Sequence, residues 1–241
     1  MSCCGVDTLG GVPVGAPDPS PLALLKERWD FTMWDEREQG WLEVIVAGGT
    51  VVDSNGQSRH PGIIAFNLAV TASSAATYRR SITWAETDDG YIEFDSIYQI
   101  VTAIPDAATP GENYTIDMGF GDTNFTPQND GFSFLLNSAL GSANWFAQTN
   151  STAGGTTSVD TGIAPDLNWH RFRARCNVDA TSVEFFIDEV SVAIIALTIP
   201  AAGELFGDVI THTREAVLGA APLVFNLDYW SHTKEIVPAR P

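Results

Sequence analysis

The sequence predicts an all-β fold, a sandwich or barrel of antiparallel strands, on three observations. From Trp29 onward, short runs rich in aromatic and β-branched residues alternate with clusters of Gly, Asn, Asp, Pro and Ser. Within several runs, apolar and polar residues alternate with the period of two that a half-buried strand requires. The chain has 241 residues, 44% of them apolar, so it can bury one large core and we expect a single domain.

Three predicted strands between residues 90 and 136 carry this alternation. Their polar positions include Glu93, Asp95 and Asp117, which we expect on the outer faces of the sheets. The apolar positions, which we expect in the core, are Ile92, Phe94 and Tyr98 in the first strand, Tyr114, Ile116, Met118 and Phe120 in the second, and Phe132, Phe134 and Leu136 in the third.

The segment from Trp169 to Asp188 predicts a hairpin. Phe172, Ala174 and Cys176 fall on one face of its first strand, and Trp169, Arg171, Arg173 and Arg175 fall on the other. A four-residue loop at 177–180 would place Phe172 opposite Phe185, Arg173 opposite Glu184 and Trp169 opposite Asp188.

The two ends of the chain are predicted to lie outside this domain, which we place at residues 29–230. Residues 1–28 are rich in Gly and Pro and predict an extended arm, followed by a short helix that begins at Ser20-Pro21. The arm is expected to anchor the domain to a neighbouring subunit through residues such as Gly10, Pro13, Pro17, Leu24 and Leu25. Residues 231–241 predict a short polar tail.

Charge and composition narrow the classes of partner. Thirty Asp and Glu against twelve Lys and Arg give a net charge of −18, which would repel nucleic acid and anionic lipid surfaces. No stretch approaches the roughly 18 apolar residues of a membrane span, so we expect no membrane insertion. Three cysteines without framework spacing (Cys3, Cys4 and Cys176) favour synthesis in a reducing cytoplasm.

Several segments resemble the concanavalin-A-like and laminin-G-like jelly rolls of phage tail and capsid-associated proteins. The matching pieces are Gly40-Trp41, residues 59–64, Gly119-Phe120-Gly121-Asp122, residues 130–134, Asn144-Trp145-Phe146-Ala147, residues 168–173 and residues 183–189. The last piece ends in Ile187-Asp188-Glu189, with Glu189 where the family usually has Gly. The resemblance spans residues 29–230 and implies a jelly-roll sandwich of two antiparallel sheets.

The resemblance also implies a function. It points to a phage virion structural protein, either a capsid decoration protein, a head fibre or a tail-fibre component, displayed on the virion surface after synthesis in the host cytoplasm. Its partners would be other copies of itself, neighbouring virion proteins and a host-surface glycan. A carbohydrate-binding module is the alternative, and a glycoside hydrolase of the same fold is the third hypothesis.

Glycan binding requires a flat aromatic ring beside Asn or Asp side chains. Trp145 with Asn144, together with Trp169 and Trp230, are the candidate residues; core packing is the competing explanation for each tryptophan. Arg171, Arg173 and Arg175 could dock an acidic partner, but we favour cross-strand pairing with Glu184 and Asp188.

Metal and catalytic sites are less well supported. Asp122, Asn124 and Asp130 offer the oxygen ligands that calcium takes, although a metal-free polar loop is the favoured alternative and we expect no cofactor. Glu93-Phe94-Asp95 begins the pattern of paired acids that glycosidases need, but the following residues add no second glutamate, so a solvated strand face is favoured. With no visible catalytic constellation, the sequence predicts that the chain is not an enzyme.

Overall fold

The structure, a computed structural model, describes residues 23–30, 41–54, 60, 62–70, 73–80, 91–102, 113–122, 128–138, 144–201, 204–205, 207–216 and 222–236. These residues form fifteen strands. In chain order they are β1 (Ala23–Asp30), β2 (Trp41–Val46), β3 (Thr50–Ser54), β4 (Ile63–Leu68), β5 (Ser74–Arg80), β6 (Ile92–Ile100), β7 (Asn113–Gly121), β8 (Gly131–Asn137), β9 (Phe146–Ser151), β10 (Gly155–Asp160), β11 (Trp169–Cys176), β12 (Val183–Ile187), β13 (Val190–Ile195), β14 (Gly207–Ala216) and β15 (Leu223–Ile236).

The strands build two antiparallel sheets that pack face to face. Sheet A has the order β13-β12-β11-β6-β15-β4-β3, with β1 also paired to β15, and sheet B has the order β10-β9-β8-β7-β14-β5-β2. Because strands distant in sequence lie side by side in both sheets, this is the jelly-roll sandwich that the sequence predicted. No helix among the described residues is long and apolar enough to cross a membrane.

The core lies between the sheets and is largely aromatic. Phe94 is stacked on Trp230 and meets Phe120 and Phe134 edge to face, with ring centroids 5.3 to 6.2 Å apart. The predicted alternation is confirmed, because the apolar positions of β6, β7 and β8 are all buried in this core. Edge-to-face packing of such rings stabilises the sandwich beyond the burial of their area.

Two polar contacts also cross the core. Asp208 Oδ2 lies 3.0 Å from His232 Nδ1, and both side chains are buried. The Tyr98 hydroxyl lies 2.7 Å from His212 Nε2. Burial lowers the pKa of His212 to about 3 and raises that of Tyr98 well above its ordinary value, so the neutral imidazole accepts a hydrogen bond from the phenol.

Residues 23–30 form a strand where the sequence predicted a helix. Residues 23–30 form β1, which pairs with residues 229–236 of β15 along its full length. A nine-residue helix is marginal in isolation, whereas the free edge of β15 offers a complete ladder of hydrogen bonds. The sandwich therefore begins at Ala23 and continues to Ile236, inside the predicted tail.

The predicted hairpin forms with the expected faces but in a different register. Phe172 lies opposite Ile187 and Arg175 opposite Glu184, a shift of two residues from the prediction. The turn is longer because the Asn177 side-chain oxygen accepts hydrogen bonds from the backbone N–H groups of Thr181 and Ser182. An even shift keeps every side chain on its predicted face.

Candidate functional site

Two of the predicted glycan-binding tryptophans lie in the core. Trp145 is 2% exposed and Trp230 is fully buried, so neither offers a ring face to a sugar. Trp169 lies on the outer face of sheet A, half-buried, and one face of its indole is stacked on His60 with ring centroids 4.1 Å apart. The predicted aromatic platform therefore narrows to Trp169, and burial in the core explains the other two residues.

The residue after Trp145 lies on the opposite side of the strand. Phe146, Gln148 and Asn150 alternate along β9 on the outer face of sheet B, away from the core. On the neighbouring β10, Asp160, Ser158 and Thr156 lie directly opposite these three residues. We call these six residues, together with Asn144, the polar ladder. The sequence interpretation chose Trp145 for its size and missed Phe146, although period-two alternation places adjacent residues on opposite faces.

Hydrogen bonds connect the members of the polar ladder. Gln148 Nε2 donates to Ser158 Oγ at 2.9 Å, Asn150 Nδ2 donates to Gln148 Oε1 at 3.3 Å, and Thr156 Oγ1 donates to Asn150 Oδ1 at 2.7 Å. An amide group has two N–H donors and two acceptor lone pairs. Gln148 and Asn150 each use one donor and one acceptor in these contacts, so each amide keeps one of both kinds.

The predicted residue Asn144 belongs to the exposed end of the ladder. Its side-chain amide donates to Asp160 Oδ1 at 2.9 Å, and the same oxygen accepts a hydrogen bond from Gly162 N at 2.8 Å. Asp160, Ser158 and Thr156 are all exposed, because β10 is the edge strand of sheet B. The ladder is therefore open to solvent along β10, whereas Gln148 and Asn150 on β9 are only 5% and 1% exposed.

A second polar region adjoins the ladder on the inner strands of sheet B. Ser133, on β8, lies between Gln148 and Gly119 in the cross-strand register, and its hydroxyl is buried without a hydrogen-bond partner among the described residues. Gly119 is required there, since a Cβ at this position would lie 2.4 Å from the carbonyl oxygen of Phe132. β7 and β8 thus approach closely, and at Gly119 no side chain lies beside Ser133. We call this position the neighbouring strip.

The predicted calcium ligands are engaged with the protein itself. Asp122 Oδ1 accepts hydrogen bonds from the backbone N–H groups of Asn129 and Asp130, and Asp130 accepts two from Thr152. Asn124 lies outside the described residues. Within the described part of the chain, no group of three or more His, Cys, Asp or Glu could hold a metal ion. The donors around these carboxylates organise the described part of the loop.

The arginine row on the outer face of sheet A is paired with carboxylates, but of the two predicted partners only Glu184 binds an arginine side chain, because the Asp188 carboxylate contacts His170. Arg171 donates two hydrogen bonds to Asp95 and also contacts Glu189, while Arg173 pairs with Glu189 and Arg175 with Glu184. The hydrogen bonds to Asp95 raise the pKa of Arg171 above its ordinary value. The row is thus neutralised by its own sheet rather than left open for an acidic partner.

One shallow depression lies at the end of the sandwich. It holds about 160 Å³, counting the open space above it, and its lining includes Trp145, Asp166, Asn168 and His170. Ligand sites usually hold about 300 to 1,000 Å³. His170 is occupied on both ring nitrogens, with Asp188 Oδ2 at 2.6 Å and Asp166 Oδ1 at 2.8 Å. These contacts fasten a loop and a turn to β11, which indicates a structural role.

No protein-family profile and no curated protein match this chain, whereas many solved structures share its fold. The carbohydrate recognition domain of Emp47p has a TM-score of 0.59 at 12% identity, covering 91% of this chain and 99% of that domain. An endo-β-1,4-glucuronan lyase from Trichoderma reesei has a TM-score of 0.58 at 10% identity, covering 86% and 94%. A carbohydrate esterase from the Shiga toxin-encoding bacteriophage phi24B has a TM-score of 0.52 at 14% identity, covering 87% and 96%.

These similarities correct one expectation. The prediction that the chain is not an enzyme does not hold on this fold, because structures of the same architecture include the lyase, the esterase and a glycosidic hydrolase. A related domain, that of Emp46p, has been solved in a potassium-bound and in a metal-free form. At these identities the likeness establishes the fold alone. The chain is an all-β jelly-roll sandwich of the kind found in lectin carbohydrate recognition domains and in glycan-active proteins.

Proposed function

We propose that this chain binds a carbohydrate through the polar ladder on the outer face of sheet B. The observation that carries the proposal is the row of exposed groups on the edge strand β10, Thr156, Ser158 and Asp160, of which Thr156 and Ser158 are held by hydrogen bonds to the buried amides of Asn150 and Gln148. Sugar hydroxyls are both donors and acceptors, so they match hydroxyl and carboxylate groups of this kind. The glycan-binding neighbours of the same fold support the proposal.

The ladder also supplies an apolar surface. Phe146 lies beside Leu135 on β8 and opposite Asp160 on β10, on the same face as the amides. It is partly exposed, so its ring can cover the apolar face of a pyranose while the exposed groups of β10 hold the hydroxyls. Because the amides are already fixed by their neighbours, little side-chain entropy is lost on binding.

The test is a glycan array followed by calorimetry on the glycans that bind. Gln148→Ala and Phe146→Ala should each weaken binding by about 1 to 3 kcal/mol. The first removes the buried hydrogen bond to Ser158, and the second removes the ring contact with the sugar. Val159→Ala is the matched control, because Val159 lies on β10 with its side chain on the opposite face and is 37% exposed. If both ladder variants bind as tightly as the unaltered protein, the ladder is not the site.

The same incubations should be assayed for glycan cleavage, since the fold hosts lyases, hydrolases and esterases. On the outer face of sheet B, the described carboxylates nearest the ladder centre are Asp117 and Asp160, which are three strands apart in one cross-strand row. At about 4.8 Å per strand they are about 14 Å apart. Two-carboxylate hydrolysis needs about 5 to 9.5 Å, so a hydrolase of that type would require another acid.

We further propose that the domain is displayed on a phage particle, at the virion surface, with other copies of itself and neighbouring virion proteins as partners. The motif resemblance and the bacteriophage esterase among the structures of this fold support this role. Light scattering on the full chain and on a chain lacking residues 1–22 tests it. This deletion keeps β1, which belongs to sheet A. An oligomer that dissociates on deletion supports an anchoring arm, and a monomer in both cases contradicts self-assembly through it.

A further inference from the structure

The strands that carry the polar ladder come from a long segment without cations. No Lys, Arg or His lies between Arg80 and His170, whereas the same segment contains twelve Asp and Glu. β7, β8, β9 and β10, which are four of the seven strands of sheet B, lie entirely within it. The ladder and its neighbouring strip are therefore built without a positively charged side chain of their own.

Among the described side chains, cations elsewhere in the fold are distant from the ladder, on the other sheet or already paired. Arg79 lies on the same face and in the same cross-strand row as Gln148, but four strands away, at about 19 Å. The Debye length is about 8 Å at physiological salt, so its charge is screened at the ladder. Arg171 lies on the other sheet and binds Asp95, and Arg214 is buried between the sheets.

We infer that the ligand of the polar ladder is an uncharged oligosaccharide, and that uronates and other polyanionic glycans are excluded. This inference rests on the proposed function and specifies its ligand. A carboxylate placed on the ladder would lose water without gaining a cation, and it would face the exposed carboxylate of Asp160 in a chain of net charge −18. Exclusion of this kind gives specificity through repulsion rather than through additional contacts.

A cationic glycan is not favoured by the same surface. Asp160, the exposed carboxylate of the ladder, already accepts hydrogen bonds from Asn144 and from the backbone of Gly162. The remaining ladder groups are amides, hydroxyls and one aromatic ring, which interact with hydroxyl groups and ring faces rather than with ammonium groups at close range. The exposed hydroxyls of Thr156 and Ser158 can hydrogen-bond to a neutral sugar without leaving a charge on the ligand uncompensated.

The experiment compares matched hexasaccharides that differ only in charge. Hexamers of glucose, mannose, galactose and N-acetylglucosamine are measured by calorimetry against the corresponding hexauronates and against hexaglucosamine, in 20 mM and in 500 mM NaCl. We expect at least one uncharged hexamer to bind, with a Kd that changes less than twofold with salt. Its charged counterparts should bind on the order of 100-fold more weakly. Gln148→Ala should weaken the neutral binding by about 5- to 150-fold, and Val159→Ala should leave it unchanged.

The outcomes separate the two proposals. Tighter binding of a uronate or of hexaglucosamine than of every neutral hexamer would overturn the inference while leaving carbohydrate binding intact. Equal affinity for charged and uncharged hexamers would also overturn it. Binding of no hexamer at all would overturn the proposed function itself, and with it the inference. If the Gln148→Ala variant binds the neutral hexamer as tightly as the unaltered protein does, the ligand binds elsewhere on the fold, and the absence of cations near the ladder no longer supports the inference.

Discussion

The ion pair between Arg171 and Asp95 provides a direct test of how sheet A is held together. Asp95 points to the outer face of β6, yet its side chain is only 8% exposed, while that of Arg171 is 43% exposed. Arg171 Nε and Nη2 donate to the two carboxylate oxygens at 2.8 and 2.5 Å. Arg171→Met keeps the length and most of the apolar stem of the side chain but removes these hydrogen bonds.

The expected cost follows from the difference in exposure. Removing one partner of a fully buried ion pair costs about 3 to 5 kcal/mol, because the other charge stays buried without compensation. Since Arg171 is nearly half exposed and water can approach the pair, we reduce this figure to about 2 to 3 kcal/mol. Arg175→Met is the control, because Arg175 and Glu184 are 37% and 26% exposed and such a pair contributes about 1 kcal/mol or less.

Urea unfolding at pH 7 measures both variants, with Asp95→Asn and the double variant completing a thermodynamic cycle. Asp95→Asn should cost less than Arg171→Met, because Arg171 keeps its contact with Glu189. The coupling energy between positions 95 and 171 should be about 1 to 2 kcal/mol. If Arg171→Met destabilises no more than Arg175→Met, or if the coupling energy is near zero, the buried carboxylate is not stabilised by this arginine.

Three further predictions concern single residues. Burial lowers the pKa of His170, but the hydrogen bonds that its ring makes to the carboxylates of Asp188 and Asp166 outweigh this effect and raise the pKa above 6.5. The stabilisation is therefore complete below pH 6.5 and is lost as the pH rises through the higher native pKa, so the urea midpoint should fall between pH 6 and 9 in the unaltered protein but not in His170→Gln. Burial raises the pKa of the Cys176 thiol to about 11, so maleimide should label this cysteine only after unfolding. Peptide mass spectrometry identifies the labelled residue, and labelling of Cys176 in the native protein would contradict its burial. Gly119→Ala should destabilise the protein by more than about 3 kcal/mol or prevent folding, because the new methyl group would lie 2.4 Å from a carbonyl oxygen of β8; thermal melting that matches the unaltered protein would show that the strands can separate.

The polar ladder shows which part of a site a local pattern can predict. Asn144 was identified from the sequence, and alternation alone would have placed Phe146 and Gln148 on the face opposite Trp145. Which of the two faces points to the core could not be read from Trp145-Phe146, because both residues are large and aromatic. The structure decides it, since Trp145 packs against Phe172 with ring centroids 4.8 Å apart.

The ends of the sandwich show where local preference fails. Ser20-Pro21 and the residues after it have the composition of a helix start, but residues 23–30 form a strand because β15 has a free edge beside them. Residues 231–236 look like a polar tail, yet Ser231 and His232 are buried on a strand of sheet A. Neither partner can be recognised from its own segment, since the two pair across about 200 residues of chain.

The sequence by itself determined the all-β class, the core-facing side of β6, β7, β8 and the β11–β12 hairpin, and the absence of cations between Arg80 and His170, because these depend only on the order of residue types. The tertiary structure alone decided the register of the β11–β12 hairpin, the burial of Trp145 and Trp230, and the meeting of Gln148 with Ser158 in the polar ladder. These features depend on which strands pair, and strand pairing is governed by contacts between residues that are far apart in the chain.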